Sequence, residues 1–298
     1  MLQITQEFIN KVAEGVLAKR ENYSGSDADF ARSLGINQSV FNRIKKGERE
    51  KILAEAKWLS IGRELGINLS ERKWNTAKTE VFKVIEEEVI FCQEYSKSRI
   101  FVDDCGIGKS YAAKYLSRTL KNCFYVDCSQ YSDKSEFIRA LAKAVGVGDK
   151  GKLSEIRANT KYYLKLLPKP IIILDEAGDL TYEAFLKLKE YWNATDGSCG
   201  WYLMGADGLR DKMERGIRRK KNGFAEIFSR YSERYGGVVP IEKNEKINFY
   251  RKLITDVLSV NMDDKDLMNK IVMRCLTADE QGHIGGLRRA ESLLILNQ

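Results

Sequence analysis

The chain has 298 residues, 43% of them hydrophobic and 31% charged, with only three prolines and a net charge of +8. That composition is globular with a helical lean, and the length allows two domains or one large domain with an appendage. It excludes a membrane span, because no run approaches the roughly 18–20 apolar residues needed.

The N-terminal stretch is amphipathic and carries acids. It lacks the basic start and apolar centre of a signal peptide, so a cytoplasmic protein that meets no membrane is expected. Six cysteines (Cys92, Cys105, Cys123, Cys128, Cys199 and Cys275) form no C-x-x-C pair, and the single histidine, His283, is remote from them in sequence. That argues against zinc and for reduced, mostly buried thiols.

Residues 1–20 set Ile4, Phe8, Val12 and Val16 at four-residue steps, one face of a helix. "SDADFARSLGINQSVFNRIKKGE" follows. Ser26 or Asp27 caps a helix reaching about Leu34, Gly35 turns the chain, and a second helix runs from near Gln38 to Gly47. Ala31, Gly35, Phe41 and Ile44 supply the small residue, the turn and the two apolar pins of a helix-turn-helix. Val40, Phe41 and Ile44 face inward. Gln38, Ser39, Asn42, Arg43 and Lys46 face outward and suit base edges and phosphates in a major groove. A protein-docking face is the alternative. Residues 1–70 hold eleven bases and nine acids, so this unit alone should grip DNA weakly. Residues 51–66 form a further helix with Trp58 and Leu65 as core.

From about residue 71 the pattern becomes α/β. "TEVFKVIEEEVIFCQEY" is a helix, "SRIFV" a strand, "YAAKYLSRTL" a helix and "CFYVDC" a strand. "SEFIRALAKAVGV" is a helix, and "IIILDEAGDL" opens with the strongest strand in the chain. "YEAFLKLKEYWNAT" is a helix and "GWYLMGAD" a strand. Such alternation predicts a parallel sheet covered on both faces. From about 243 the chain reads as wholly helical. The expected division is an N-terminal helical domain over 1–70, an α/β core over 71–242 and a helical lid over 243–298.

"FVDDCGIGKSY" lies between the first core strand and its helix, the context of a phosphate-binding loop. Asp104, Cys105, Gly106, Ile107 and Gly108 would form the cradle with Lys109, Ser110 and Tyr111 at the start of the helix. Lys109 would reach the β- and γ-phosphates, and Ser110 would ligate Mg²⁺. The motif's first glycine is replaced by Asp103. Aspartate is among the few other residues tolerant of positive φ, so binding of ATP and Mg²⁺ is expected to survive. Downstream, Asp175 ends a buried apolar strand where it can hold the Mg²⁺ shell. Glu176 beside it can polarise an attacking water.

These features together resemble the AAA+ ATPases, and most closely the DNA-transposition ATPases of the phage Mu B type. The likeness spans nearly the whole chain, from "LGINQSVFNRIKKGE" through "FVDDCGIGKS" and "IIILDEAGDL" to "GHIGGLRRAESLL". It implies a helix-turn-helix domain before a P-loop core with a short lid. It implies an ATPase that assembles as a filament or ring on double-stranded DNA, and a transposase as partner in a bacterial or phage setting near the nucleoid. By position it places sensor 1 at Ala206 or Asp207. Asp207 is the candidate, since alanine has no polar side chain. It places an arginine finger at Arg230, with Arg234 second, and sensor 2 at Arg288.

Residues 209–221 hold seven bases and two acids, a net +5 out of +8 for the whole chain. Arg218, Arg219, Lys220 and Lys221 within it would form a loop that tracks a duplex backbone without reading sequence. Lys150 and Lys152, with Arg157, make a second candidate loop. Two other readings stay open: an ATP-switched, sequence-specific regulator, and an initiator or helicase loader of the same AAA+ class.

Overall fold

The computed structural model describes residues 4–21, 23, 25–67, 74–277 and 284–297. The expected boundary at 70/71, and His283, lie outside these residues.

Four helices open the chain: α1 (Gln6–Glu21), α2 (Asp27–Ser33), α3 (Gln38–Lys45) and α4 (Glu55–Glu64). Phe8, Val12 and Val16 are buried along one face of α1, as their four-residue spacing dictates. Ser26 caps α2 in a reciprocal box with Asp29: Asp29 N–H donates to Ser26 Oγ at 3.2 Å, and Ser26 N–H to Asp29 Oδ2 at 3.3 Å. Gly35 takes φ +62°, and Phe30 meets Phe41 edge-on at 5.1 Å across the turn. A Cβ on Gly62 would stand 2.4 Å from the Phe8 ring, so glycine lets α4 lie directly on α1. These helices bury their own cluster, centred on Phe41, Ile44, Trp58 and Ile61.

The α/β layer begins with α5 (Glu80–Tyr95), β1 (Ser98–Val102), α6 (Lys109–Thr119), β2 (Cys123–Asp127), α7 (Lys134–Val145), α8 (Leu153–Leu166) and β3 (Ile171–Asp175). A 3₁₀ turn over Ala177–Asp179 leads to α9 (Tyr182–Ala194), β4 (Gly200–Gly205), α10 (Asp207–Arg218), α11 (Phe224–Arg230) and β5 (Tyr235–Gly236). The five strands pair in the order β2-β3-β4-β1-β5, all parallel. Ile172, Leu174, Trp201 and Leu203 pack on one face, against residues of α7 to α11. Ile171, Ile173, Tyr202 and Met204 pack on the other, against α5 and α6. Burial on both faces explains why β3 reads as a continuous apolar run.

Three helices lie outside the sequence pattern. α8 falls where only a loop was expected, and α10 occupies most of the basic stretch expected to be a loop. Leu209, Met213 and Gly216 form the buried side of α10, a helical spacing hidden among charges. α11 follows it.

The C-terminal helices α12 (Lys243–Ser259), α13 (Lys265–Leu276) and α14 (Leu287–Leu296) share a cluster of Ile254, Leu258, Ile271, Cys275 and Leu294. The segment leading into the core is tied to them. Asn75 N–H donates to Asn261 Oδ1 at 2.7 Å, and Trp74 Nε1–H to Glu291 Oε1 at 3.2 Å.

Candidate nucleotide-binding site

β1 ends at Val102 near the middle of the sheet, and α6 starts at Lys109. The six residues between form the loop. Gly106 (φ +73°) and Gly108 (φ +99°) adopt backbone that a side chain would strain, and Ile107 is buried beneath them. Gly108 is the cap of α6, so the loop delivers the helix N-terminus and its partial positive charge to one point. Lys109 is only 6% exposed. Its ammonium donates to Asp103 O at 2.8 Å and to Asp104 O at 2.6 Å, which lays the side chain along the inside of the loop.

Asp103 corrects the expectation made for it. It does not adopt positive φ. Its N–H continues the sheet toward Gly205 O at 3.3 Å, and the residue is 8% exposed. Oδ1 accepts from Asp104 N–H at 2.8 Å, and Oδ2 accepts from Val238 N–H at 2.6 Å and Val239 N–H at 3.1 Å. The acid replaces the glycine because it ties the loop to the chain leaving β5, a contact glycine cannot make.

The C-terminal helices meet the loop at two further points. Asp104 Oδ2 accepts from Tyr250 O–H at 2.8 Å and pairs with Lys246 at 2.6 Å, both on α12. Burial and the Asp104 charge push the Tyr250 phenol pKa up. Leu287 N–H donates to Gly106 O at 2.9 Å, and a Cβ on Gly286 would stand 2.9 Å from the same oxygen. Arg288, next in the first turn of α14, is exposed. Lys246 and Tyr250 carry no sequence signal that could have found them, since they lie more than a hundred residues from the loop.

Asp175 is 2% exposed at the end of β3. Its Oδ2 accepts from Tyr125 O–H at 2.9 Å and its Oδ1 from Glu176 N–H at 3.1 Å. Burial, then the Asp175 charge, raises the Tyr125 phenol pKa. Glu176 sits in left-handed backbone, φ 49° and ψ 41°. Its pKa is raised from 4.5, first by burial and then by Asp175, while Lys109 pulls it back. β1 and β3 both run parallel to β4, so the loop lysine after β1 and the acid pair ending β3 lie at one end of the sheet. The donors fit Mg²⁺: the Ser110 hydroxyl and the Asp175 carboxylate are hard oxygen ligands, and this ion keeps waters and phosphate oxygens for the rest. Among the described residues no cluster of three or more His, Cys, Asp or Glu forms a metal cage. Cys105 is exposed on the loop, and Tyr111 O–H lies 2.6 Å from Thr76 Oγ1.

The remaining expected residues are scattered. Asp207 begins α10 with its side chain 78% exposed and paired to Arg210 at 3.5 Å. Arg230 stacks its guanidinium 5.1 Å from the centre of the Trp192 ring. Arg234 is exposed and makes no hydrogen bond or ion pair among the described residues.

Gln38, Ser39, Asn42 and Arg43 on α3, and Lys46 just after it, are all exposed, with Arg43 paired to Glu48 at 2.6 Å. On α10 and the turn after it, Arg215, Arg218, Arg219 and Lys220 are exposed, and none forms an ion pair among the described residues. Lys221 lies 3.8 Å from the centre of the Tyr182 ring. Lys150 and Lys152 are exposed before α8. Arg157 belongs to α8 itself and pairs with Glu190 at 3.4 Å.

A comparison with curated proteins gives no match. Residues 101–213, from β1 to α10, match the family model described as an AAA domain. The parallel sheet, the glycine loop at the head of α6 and the acid pair ending β3 all lie in that segment. That segment is therefore similar to an AAA domain, and the parallel sheet flanked by helices has the fold of a P-loop AAA+ core.

Proposed function

We propose that this protein is an ATP-dependent DNA-binding ATPase that assembles on duplex DNA, marks it as a target and activates a transposase, with hydrolysis releasing subunits. The observation that carries the DNA half is the unpaired basic end of α10. Four exposed cations with no acidic partner form a site that phosphates can neutralise without displacing an internal ion pair. The contacts are to backbone, so binding would be largely independent of sequence. The exposed polar face of α3 would add a second, weaker hold. The transposase and the filament or ring come from the resemblance to Mu B-type ATPases.

At the nucleotide site, the loop amides and Lys109 would bind the phosphates. Mg²⁺, held by Ser110 and Asp175, would neutralise phosphate charge. Glu176 would polarise the attacking water. Arg288, next to Leu287 whose N–H bonds Gly106 O, would report on the γ-phosphate from the lid. Of the two finger candidates, Arg234 is free to enter a neighbour's site, whereas Arg230 is occupied by Trp192.

A second reading is a sequence-specific regulator switched by ATP. It draws support from the α2–α3 pair, whose outward residues are all polar. The two readings separate in one assay: ATP hydrolysis with and without random-sequence duplex, across protein concentration, beside Lys109→Ala. Turnover that rises with DNA and steeply with protein, and vanishes in the variant, supports the assembling ATPase. Nucleotide binding without DNA-stimulated turnover supports the regulator.

A further inference from the structure

The first turn of α10 rests on two glycines. A Cβ on Gly178 would stand 3.1 Å from the nitrogen and 3.2 Å from the Cα of Leu209, and one on Gly205 would stand 2.8 Å from Leu209 Cβ. The helix backbone therefore lies directly on the turn that follows Glu176 and on the end of β4. Next along, Lys212 points inward, unlike its basic neighbours. Its ammonium donates to Gly178 O at 2.7 Å and also to Leu180 O. One cation thus holds the middle of the 3₁₀ turn and the residue just after it through main-chain carbonyls. Glu176, the residue before that turn, sits in left-handed backbone, which a non-glycine residue keeps only where its surroundings over-determine it. Arg218 lies six residues further along the same helix, about 9 Å at 1.5 Å per residue.

We infer that Lys212 is a strut by which duplex DNA, gathered at the basic end of α10, repositions Glu176 and so raises ATP hydrolysis. This deepens the proposed function and rests on its two assignments: α10 as the DNA-facing helix and Glu176 as the group that polarises water. A helix moves as a rigid rod. Phosphates that engage Arg218, Arg219 and Lys220 shift the rod, and the shift arrives at the Gly178 and Leu180 carbonyls. Lysine suits the task, because a compact ammonium with three donors on a long stem can hold two carbonyls at once. Lys212 is a positioning residue and touches no substrate.

The test compares wild type, Lys212→Met and Arg218→Ser/Arg219→Ser in three measurements: affinity for random duplex by fluorescence anisotropy, assembly by light scattering, and turnover with and without saturating duplex. Methionine keeps the stem and holds neither carbonyl. In Lys212→Met, DNA affinity, assembly and DNA-free turnover should stay within about twofold of wild type. The ratio of DNA-stimulated to basal turnover should fall close to one. The arginine double variant should bind DNA more weakly and keep a reduced ratio even when DNA is saturating, because the phosphates lose two of their three grips on the rod. Should Lys212→Met not fold, Gly178→Ala reads the same joint, because its added methyl pushes the Leu209 backbone away. An unchanged ratio in the strut variant overturns the inference and leaves the function intact. A ratio lost together with assembly also overturns it. A wild type that binds no duplex, or gains no turnover from it, removes both.

Discussion

The carboxylate of Asp103 accepts the main-chain N–H of Val238 at 2.6 Å, joining the first residue of the glycine loop to the chain that leaves β5 for the lid. The motif's glycine position thus carries a structural tether. Asp103→Ala leaves the amides of Asp104, Val238 and Val239 without their acceptor. An unsatisfied buried donor costs about 1–3 kcal/mol, so a clear fall in melting temperature is expected. Asp103→Gly restores the motif and should lose the same tether. Thermal melts of both variants would decide whether the acid serves the fold in this way. An unchanged melting temperature would count against it.

Cys105 is the one exposed cysteine of six, and it lies on the loop. Brief treatment with a maleimide should label it alone. ATP with Mg²⁺ should slow that labelling in the wild type and have no effect in Lys109→Ala. Mass spectrometry of the modified peptide reads both outcomes.

Glu176 has a pKa raised above its ordinary 4.5, chiefly by burial. Its ionised form is therefore disfavoured in the folded chain, and at neutral pH that charge works against stability. Glu176→Gln should raise the melting temperature at pH 7, and the gain should vanish once the pH falls below about 4.5, where the wild-type group is protonated folded or unfolded. The same variant should bind ATP and fail to turn it over. In the wild type, the acid limb of the kcat profile should lie above that of an ordinary glutamate. Asp175→Asn removes the second cause of the shift and should lower the midpoint of the Glu176 carboxyl titration, read directly by NMR.

Arg230 and Arg234 should separate cleanly. Arg230→Ala removes a guanidinium from the Trp192 face and should destabilise the fold by about 1 kcal/mol. Arg234→Ala removes a free surface side chain and should change stability by no more than about 0.5 kcal/mol. If Arg234 acts in a neighbour's site, its loss abolishes the rise of turnover with protein concentration. Melts and a concentration series of hydrolysis rates test the pair together.

The basic end of α10 predicts a salt signature. Removing one cation that meets a phosphate should reduce the slope of log affinity against log salt by about 1. Arg218→Ser and Lys220→Ser should each show this drop on any duplex sequence. Asn42→Ala on α3 should leave the slope alone. A sequence-dependent effect of the α10 variants would speak for base contacts instead.

The sequence by itself determined the elements with strong local signals. β3 is a continuous apolar run because both its faces are covered. Ser26 and Gly35 punctuate α2 because capping and a left-handed turn need those residue types. Gly106, Gly108 and Lys109 announce the loop because a phosphate cradle admits few alternatives. α10 stayed hidden because its buried side is only Leu209, Met213 and Gly216 among nine charged residues between 209 and 221, and so it reads as a charged loop.

Only the tertiary structure decided what the charges in and near the site do. Asp103 meets Val238, Asp104 meets Lys246, and Lys212 meets Gly178, each across a long stretch of chain. Pairings of that range depend on strand order and helix docking, which no local pattern encodes. The order β2-β3-β4-β1-β5 sets one strand between the loop and the acid pair. Asp207 and Arg234 face solvent for the same reason: where a side chain points beyond the end of a strand is fixed by the helix or turn that follows, and that is settled by packing.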